Sequence, residues 1–229
     1  MADQLFEEWQ VYEKLLVHDY MDHRAFFGRL QAEIQARFSR PVAVLDLGCG
    51  DLAPILGLLE SVPLRRYVGV DESDVALSLA RRRLDEAGLA GELLHGDLLT
   101  SLEGMAGPFD LVVASFSLHH LADPADKLRT LRGASRVLGP DGLFALIDVF
   151  SAESEPRERY VERWIANAEA RYHALQPAEK TILFEHVRAR DFPLSLKTWQ
   201  GLGREAGLPR CESLLEDGDG LNRLVTFAA

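Results

Sequence analysis

The sequence predicts an α/β fold of Rossmann-like type, a doubly wound and mostly parallel sheet that ends in a C-terminal antiparallel hairpin. Three observations predict it. Short apolar runs at 42–47, 67–70, 92–95, 109–114 and 142–149 have the length and composition of strands buried on both faces. Helical patterns at 53–60, 73–87 and 123–138 separate them, and such alternation means βαβ units with helices on both sides of the sheet. Near the C-terminus two strand-like runs, 210–215 and 221–228, flank Asp217-Gly218 and Asp219-Gly220, which are strong hairpin-turn signals.

Residues 3–38 read as two amphipathic helices. Leu5, Phe6, Trp9, Leu15 and Leu16 share one face of the first, and Phe26, Phe27, Leu30 and Ile34 lie on the second, from about 20 to 38. Pro41 closes this segment, because the residue before a proline is pushed out of helix. Ser73 suits the N-cap of the long middle helix and Gly88 its C′ position. After Val149 the pattern changes. A charged amphipathic helix over 155–175 carries Tyr160, Trp164, Ile165 and Tyr172. A shorter one follows over 178–189, Asp191-Phe192-Pro193 breaks it, and Ser195 caps a last helix that Gly207 closes. The expected organisation is one domain: a helical cap (1–40), a ligand-binding core (41–150), a helical lid (151–194), and a final helix with the hairpin (195–229).

The chain has 229 residues, 47% hydrophobic and 27% charged, in the range of a globular protein. Its net charge of −11 argues against nucleic acid or an anionic membrane as partner. Arg81-Arg82-Arg83 reads as a solvated helix face. The two cysteines, Cys49 and Cys211, form no Cys-x-x-Cys pair, so neither a zinc ribbon nor a disulfide framework is expected. The N-terminus lacks the basic start and apolar core of a signal peptide, and no apolar run is long enough to span a bilayer. A cytoplasmic location is the expectation.

The stretch Val44-Leu-Asp-Leu-Gly-Cys-Gly-Asp51 carries most of the chemistry. An apolar strand runs into Gly48 and Gly50, which lack a Cβ, permit positive φ and let a ligand approach the backbone closely. Gly48-x-Gly50-x-x-Ala53 fits a relaxed dinucleotide fingerprint. Asp71, at the end of the next strand, is placed to accept from ribose hydroxyls. These two features leave a nicotinamide dinucleotide and S-adenosylmethionine both open. Three others discriminate. Asp46, two residues before Gly48, would repel a pyrophosphate but balances the sulfonium and ammonium of S-adenosylmethionine. Gly96-Asp97-Leu98 ends the third strand with an acceptor and an apolar residue, suited to an adenine amine and ring face. The fourth strand, 109–115, leads into Phe116-Ser-Leu-His-His120, and Val137-Leu-Gly-Pro-Asp-Gly-Leu143 delivers the chain into the fifth.

Taken in order, these motifs resemble those of class I S-adenosylmethionine-dependent methyltransferases over about residues 42–150. The resemblance implies S-adenosyl-L-methionine as cofactor. It implies that Asp46, Gly48 and Gly50 line the methionine and ribose, that Asp71 accepts from both ribose hydroxyls, that Asp97 takes the adenine amine with Leu98 on the ring, and that Ser115 sits by the methionine amino group. One departure stands out: where the family's loop often has a third glycine, this chain has Leu52. The rival readings are a nicotinamide-dependent oxidoreductase and a binding module that holds the cofactor without catalysis.

A methyl donor activated as a sulfonium needs mainly an aligned acceptor and exclusion of water. No Asn-Pro-Pro-Tyr-like segment follows the fourth strand; Ser115-Phe-Ser-Leu-His-His resembles small-molecule members. His119 and His120 are therefore the candidates for substrate contact or general base. Tyr20, His23 and Arg24 are placed to gate the site from the N-terminal helices. In the lid, Tyr160, Trp164, His186 and Arg190 are candidates for substrate contact, and its arginines suit a carboxylate- or phosphate-bearing small molecule. His18, Asp19, Asp22 and His23 can be imagined as a metal cluster, but no third segment offers matching ligand spacing, so no metal is expected. The expected partner is a small-molecule substrate, with the chain a monomer or homodimer.

Overall fold

The computed structural model describes residues 2–229, with side chains described from residue 10 onward. The side chains of Leu5, Phe6 and Trp9, expected on the first helix's inner face, lie outside the described residues. Two helices come first, α1 (Ala2–Val17) and α2 (His23–Arg37). The second starts later than the pattern predicts, because Asp19 and Asp22 both take left-handed backbone angles and end the helical run between them.

The core alternates β1 (Val42–Leu47), α3 (Leu56–Ser61), β2 (Leu64–Asp71), α4 (Asp74–Glu86), β3 (Glu92–His95), α5 (Leu98–Gly104), β4 (Phe109–Ser115), α6 (Pro124–Val137) and β5 (Leu138–Ser151). The lid is α7 (Arg157–Arg171) and α8 (Pro177–Arg190). A two-residue strand β6 (Leu194–Ser195), α9 (Leu196–Glu205), β7 (Arg210–Glu216) and β8 (Asn222–Ala228) complete the chain. Strand order is β3-β2-β1-β4-β5-β8-β7, parallel through β5 and antiparallel beyond it. The expected hairpin is present; Asp217 holds its turn by accepting from the backbone N–H groups of Leu221 and Asn222.

β1 is buried along its whole length, as the unbroken apolar run requires. Val42 and Val44 pack on the α2–α3–α4 side, whereas Ala43, Leu45 and Leu47 pack on the α5–α6–α9 side. A third apolar cluster joins α1, α7 and α8 through Val11, Leu15, Tyr160, Trp164, Tyr172 and Phe184. Ser73 caps α4 by accepting from Ala76 N–H at 3.2 Å, and Gly88 follows that helix at φ +65°. Ser195 caps α9, with Thr198 N–H 3.3 Å from its hydroxyl. α5 is the element the sequence pattern does not bring out; Asp97 starts it, accepting from Thr100 N–H at 2.8 Å. No helix among the described residues is long and apolar enough to cross a membrane.

Candidate functional site

The loop after β1 leaves the sheet at its C-terminal edge, next to the ends of β2 and β4, at the switch point of the strand order, where open α/β sheets bind ligands. Gly48 and Gly50 both have positive φ, +72° and +54°. They differ in what surrounds them. A Cβ at Gly48 would stand 2.6 Å from Ser117 Cβ, so this glycine lets the segment after β4 close onto β1, where Ser117 Oγ donates to Leu47 C=O at 2.8 Å. A Cβ at Gly50 would meet nothing within 4 Å. Its backbone therefore faces open space.

Leu52 occupies the position of the missing third glycine and keeps a glycine-like conformation, φ +66°, with its side chain fully buried. Left-handed backbone in a residue with a Cβ costs roughly 1–2 kcal/mol. Burial of a leucine side chain contributes about 1.5–3 kcal/mol, so packing outweighs strain.

Asp71 ties the loop to β2. Its Oδ2 accepts from Gly50 N–H at 2.8 Å and its Oδ1 from Ser73 N–H at 2.9 Å. Each oxygen retains a lone pair, so the pre-set carboxylate can still accept from a ligand hydroxyl. Asp51, buried and not singled out by sequence reasoning, forms an ion pair with Arg83 of α4, which also donates to the Asp51 carbonyl at 2.8 Å. The expected solvated face holds for Arg81 and Arg82, which are exposed, but not for Arg83, which anchors the loop. The nearest sequence signal was its place one turn before the helix end, which says nothing of Asp51. Tyr12 of α1 lies over this region, its phenol pKa driven up by burial and by Asp51, Asp46 and Asp71.

Residues 44–142 match a family model described as a methyltransferase domain. An uncharacterised methyltransferase of Synechocystis is 37% identical over 110 residues, covering 46% of this chain and 46% of that protein. A ribosomal protein L11 methyltransferase of Thermosipho africanus is 27% identical over 143 residues, covering 61% of this chain and 51% of the relative. Residues 44–142 thus carry a methyltransferase domain of the class I S-adenosylmethionine-dependent kind. The chain spans about half the length of the curated relatives it matches. Its fold resembles that of a solved mitomycin 7-O-methyltransferase, with TM-score 0.59 and 20% identity, over 90% of this chain and 53% of that one.

The family's cofactor is S-adenosyl-L-methionine, and the residues present fit it. Gly50 offers bare backbone beside the open space, and Asp71 offers oriented carboxylate oxygens. The remaining expected cofactor residues are placed as follows. Asp46 is 3% exposed, beneath the loop, accepting from Tyr67 Oη at 3.0 Å. Asp97 spends one oxygen on its helix cap and is half-buried beside Leu98. Ser115 ends β4, half-buried, and Phe116 after it takes a left-handed φ of +48° while its N–H donates to Ile147 C=O at 2.7 Å.

The N-terminal candidates separate. Tyr20 stacks on Tyr172 of the lid, with centroids 4.3 Å apart, and its hydroxyl accepts from Ala174 N–H at 2.9 Å. Arg24 is exposed and donates to Val17 C=O at 3.3 Å. His23 is buried against Phe116, 4.7 Å between ring centroids, and neither ring nitrogen has a hydrogen-bond partner. Burial lowers its pKa to about 4, so the ring is neutral at neutral pH. With Asp19, Arg24, Ala53 and Pro54 it lines a cleft of about 260 Å³ beside the glycine loop.

His119 and His120 sit on a short 3-10 turn, 118–120, after β4. His119 is buried, its Nδ1 2.5 Å from Asp148 Oδ1 at the end of β5 and its Nε2 3.7 Å from Asp191 Oδ1 after α8. Burial opposes a charged ring, but Asp148 and Asp191 outweigh it and hold the pKa above the ordinary imidazole value. His120 is at the surface, its Nδ1 3.2 Å from Arg190 C=O, with His186 edge-on at 5.3 Å. Arg190 thus meets this cluster through its backbone, while its side chain is exposed. Tyr160 and Trp164 pack inward as lid core, 0% and 3% exposed. Asp148, Asp191 and Ser117 were not foreseen, since each becomes a partner only through the tertiary fold.

Proposed function

We propose that this chain transfers the methyl group of S-adenosylmethionine to a small-molecule acceptor bound between the glycine loop, the tip of β4 and the N-terminal helices. The observation that carries the reading is His23. A buried, unpartnered and neutral imidazole against Phe116 leaves a lone pair and an N–H unsatisfied in a side chain at the wall of a cleft that borders the glycine loop. Unsatisfied buried polar groups are rare, and a bound acceptor would supply the missing partner.

S-adenosylmethionine supplies a methyl group already activated on a sulfonium. The chain's part is placement and shielding. Gly50 with Asp71 holds the nucleoside end, and Gly48 lets Ser117 close against β1 beside it. Asp46 counters positive charge once the cofactor's cations draw off its proton, Asp97 and Leu98 receive the adenine, and Ser115 offers backbone at the strand tip. α1 and the lid keep water out, and His23 orients the acceptor atom and takes its proton where it carries one. His119, flanked by carboxylates, acts as a joint between β4, β5 and α8. Coverage of the cleft by α1 favours a small molecule over a side chain on a folded protein.

Calorimetry should show binding of S-adenosylhomocysteine and none of NADH; the reverse would restore the oxidoreductase reading. Labelled S-adenosylmethionine with a fractionated cell extract should then label the small-molecule fraction. Label confined to protein would overturn the acceptor class, and binding with no transfer to either fraction would favour a module without catalysis.

A further inference from the structure

His119 and His120, adjacent on the turn after β4, meet Asp191, which follows the last residue of α8. One nitrogen from each ring and one oxygen of Asp191 all lie within 4.8 Å of one another. The second contacts of these side chains decide what the convergence means. His119 Nδ1 faces the Asp148 carboxylate at 2.5 Å and His120 Nδ1 faces the Arg190 carbonyl at 3.2 Å. Both partners can only accept, so both Nδ1 atoms carry protons and each neutral ring has its lone pair on Nε2. Asp191 is 4% exposed and its Oδ1 has no hydrogen-bond partner; His119 Nε2, at 3.7 Å, is too far for one. The buried Tyr160 hydroxyl is also unpartnered, and Asp191 and Asp148 are the charges that act on it most strongly.

We propose that His119, His120 and Asp191 form a divalent metal site of the zinc class, in which Asp148 and the Arg190 carbonyl orient the two imidazoles. Two imidazoles and a carboxylate are the donor set of a three-ligand zinc site with an open fourth position. The absence of thiolate and the small number of oxygens argue against copper(I), calcium or magnesium. Imidazole bonded on its far side to a carboxylate or carbonyl is the usual outer shell of a metal-binding histidine. Tetrahedral bonds of zinc length bring donor atoms to ~3.3 Å, so the 3.7 Å between His119 Nε2 and Asp191 Oδ1 closes with a small side-chain rotation. A water in the open position gives the Tyr160 hydroxyl a partner. The ion joins the exit of β4 to the end of lid helix α8, two segments far apart in sequence, and so clamps lid to core. This site stands independently of the acceptor proposed above.

The test uses the full chain, stripped with a chelator and free of cofactor. Calorimetric titration with Zn²⁺ should show one saturable site per chain, and Co²⁺ should give the visible absorption of a tetrahedral N/O site. Asp191→Asn and His120→Asn should each weaken Zn²⁺ binding more than about tenfold, and Asp148→Asn by roughly 10–100-fold as an outer-shell change. His95→Asn, which removes an exposed histidine 3.7 Å from Asp74, should leave it unchanged. In the unmodified chain Zn²⁺ should shift the ring-nitrogen resonances of His119 and His120, a readout that needs no variant to fold. Absence of one-to-one binding, binding that survives both Asp191→Asn and His120→Asn, or Zn²⁺ that leaves those two rings unshifted would each overturn the site.

Discussion

Tyr67 donates its phenol hydroxyl to Asp46 at 3.0 Å, and both side chains are buried directly beneath the glycine loop. Gly69, the register partner of Asp46 on β2, makes the pair possible. A Cβ there would stand 2.9 Å from the Tyr67 oxygen and 2.8 Å from the Cys49 sulfur. Burial, joined by the charge of Asp71, pushes Asp46 up to about 7 against the pull of the Tyr67 hydroxyl.

The folded chain therefore keeps a proton on Asp46 that the unfolded chain has already lost between its ordinary value of 3.8 and about 7. Stability attributable to this group is fully present below that window, falls as pH rises through it, and is flat above. Asp46→Asn should remove this slope, worth on the order of a few kcal/mol. Urea melts of both proteins across the window would measure it, and parallel pH profiles would refute it.

Gly48→Ala puts a methyl group 2.6 Å from Ser117 Cβ at a φ of +72°. The expected loss is roughly 2–4 kcal/mol, from left-handed strain plus a forced shift of the segment after β4. Adding Ser117→Gly should recover the steric part and leave the strain. A double variant no more stable than Gly48→Ala in thermal melts would show that the clash is relieved some other way.

Leu52→Gly trades strain for packing. Relief of the left-handed angle returns roughly 1–2 kcal/mol, but removing a fully buried leucine costs about 2–5 kcal/mol. Net destabilisation of up to about 4 kcal/mol is expected. A chain stabilised by the change would mean that strain at this position had been underestimated.

Asp71→Ala removes the acceptor from Gly50 and Ser73 N–H as well as the proposed ribose contact. S-adenosylhomocysteine affinity should fall at least roughly tenfold, since hydrogen bonds to a charged acceptor contribute about 1.5–3 kcal/mol each. Asp71→Asn, which keeps one acceptor oxygen, should lose less. Equal affinity in all three proteins by calorimetry would remove Asp71 from the cofactor site.

His23→Leu should separate stability from turnover. An apolar residue in place of a buried, unpartnered imidazole should keep or raise the melting temperature, while kcat falls if His23 meets the acceptor. A variant with unaltered kcat and KM would mark His23 as mere packing.

β1 was legible because burial on both faces leaves a nearly unbroken apolar run, and it begins and ends where that run does; β3, a partly exposed edge strand, was legible by its place between two helical patterns. β5 is longer than its run because Leu138 pairs with Phe109 before a register shift at the Pro140-Asp141 turn. α5 escaped notice because a seven-residue helix with three leucines has no periodicity to read. In the site, Gly48, Gly50 and Asp71 were readable because each lies at a strand end, where position along the chain nearly determines position in space. Arg83, Ser117, Asp148 and Asp191 were not, since a side chain's partner across the fold leaves no local trace.

The stack of Tyr20 on Tyr172 has a mechanical consequence. The stack holds the end of α1 to the end of α7, and the 2.6 Å ion pair between Lys14 and Glu179 holds α1 to α8, whereas α2 packs on the sheet through Phe26, Phe27 and Leu30. The division falls at Asp19 and Asp22, where the backbone turns left-handed. α1 and the lid thus form a single half-shell, seated on the core through Val149 and Leu221 and through the Phe192 N–H bond to His119 C=O. Through these contacts Tyr12, whose phenol feels the charges of Asp51, Asp46 and Asp71, sits on the same rigid unit as the lid.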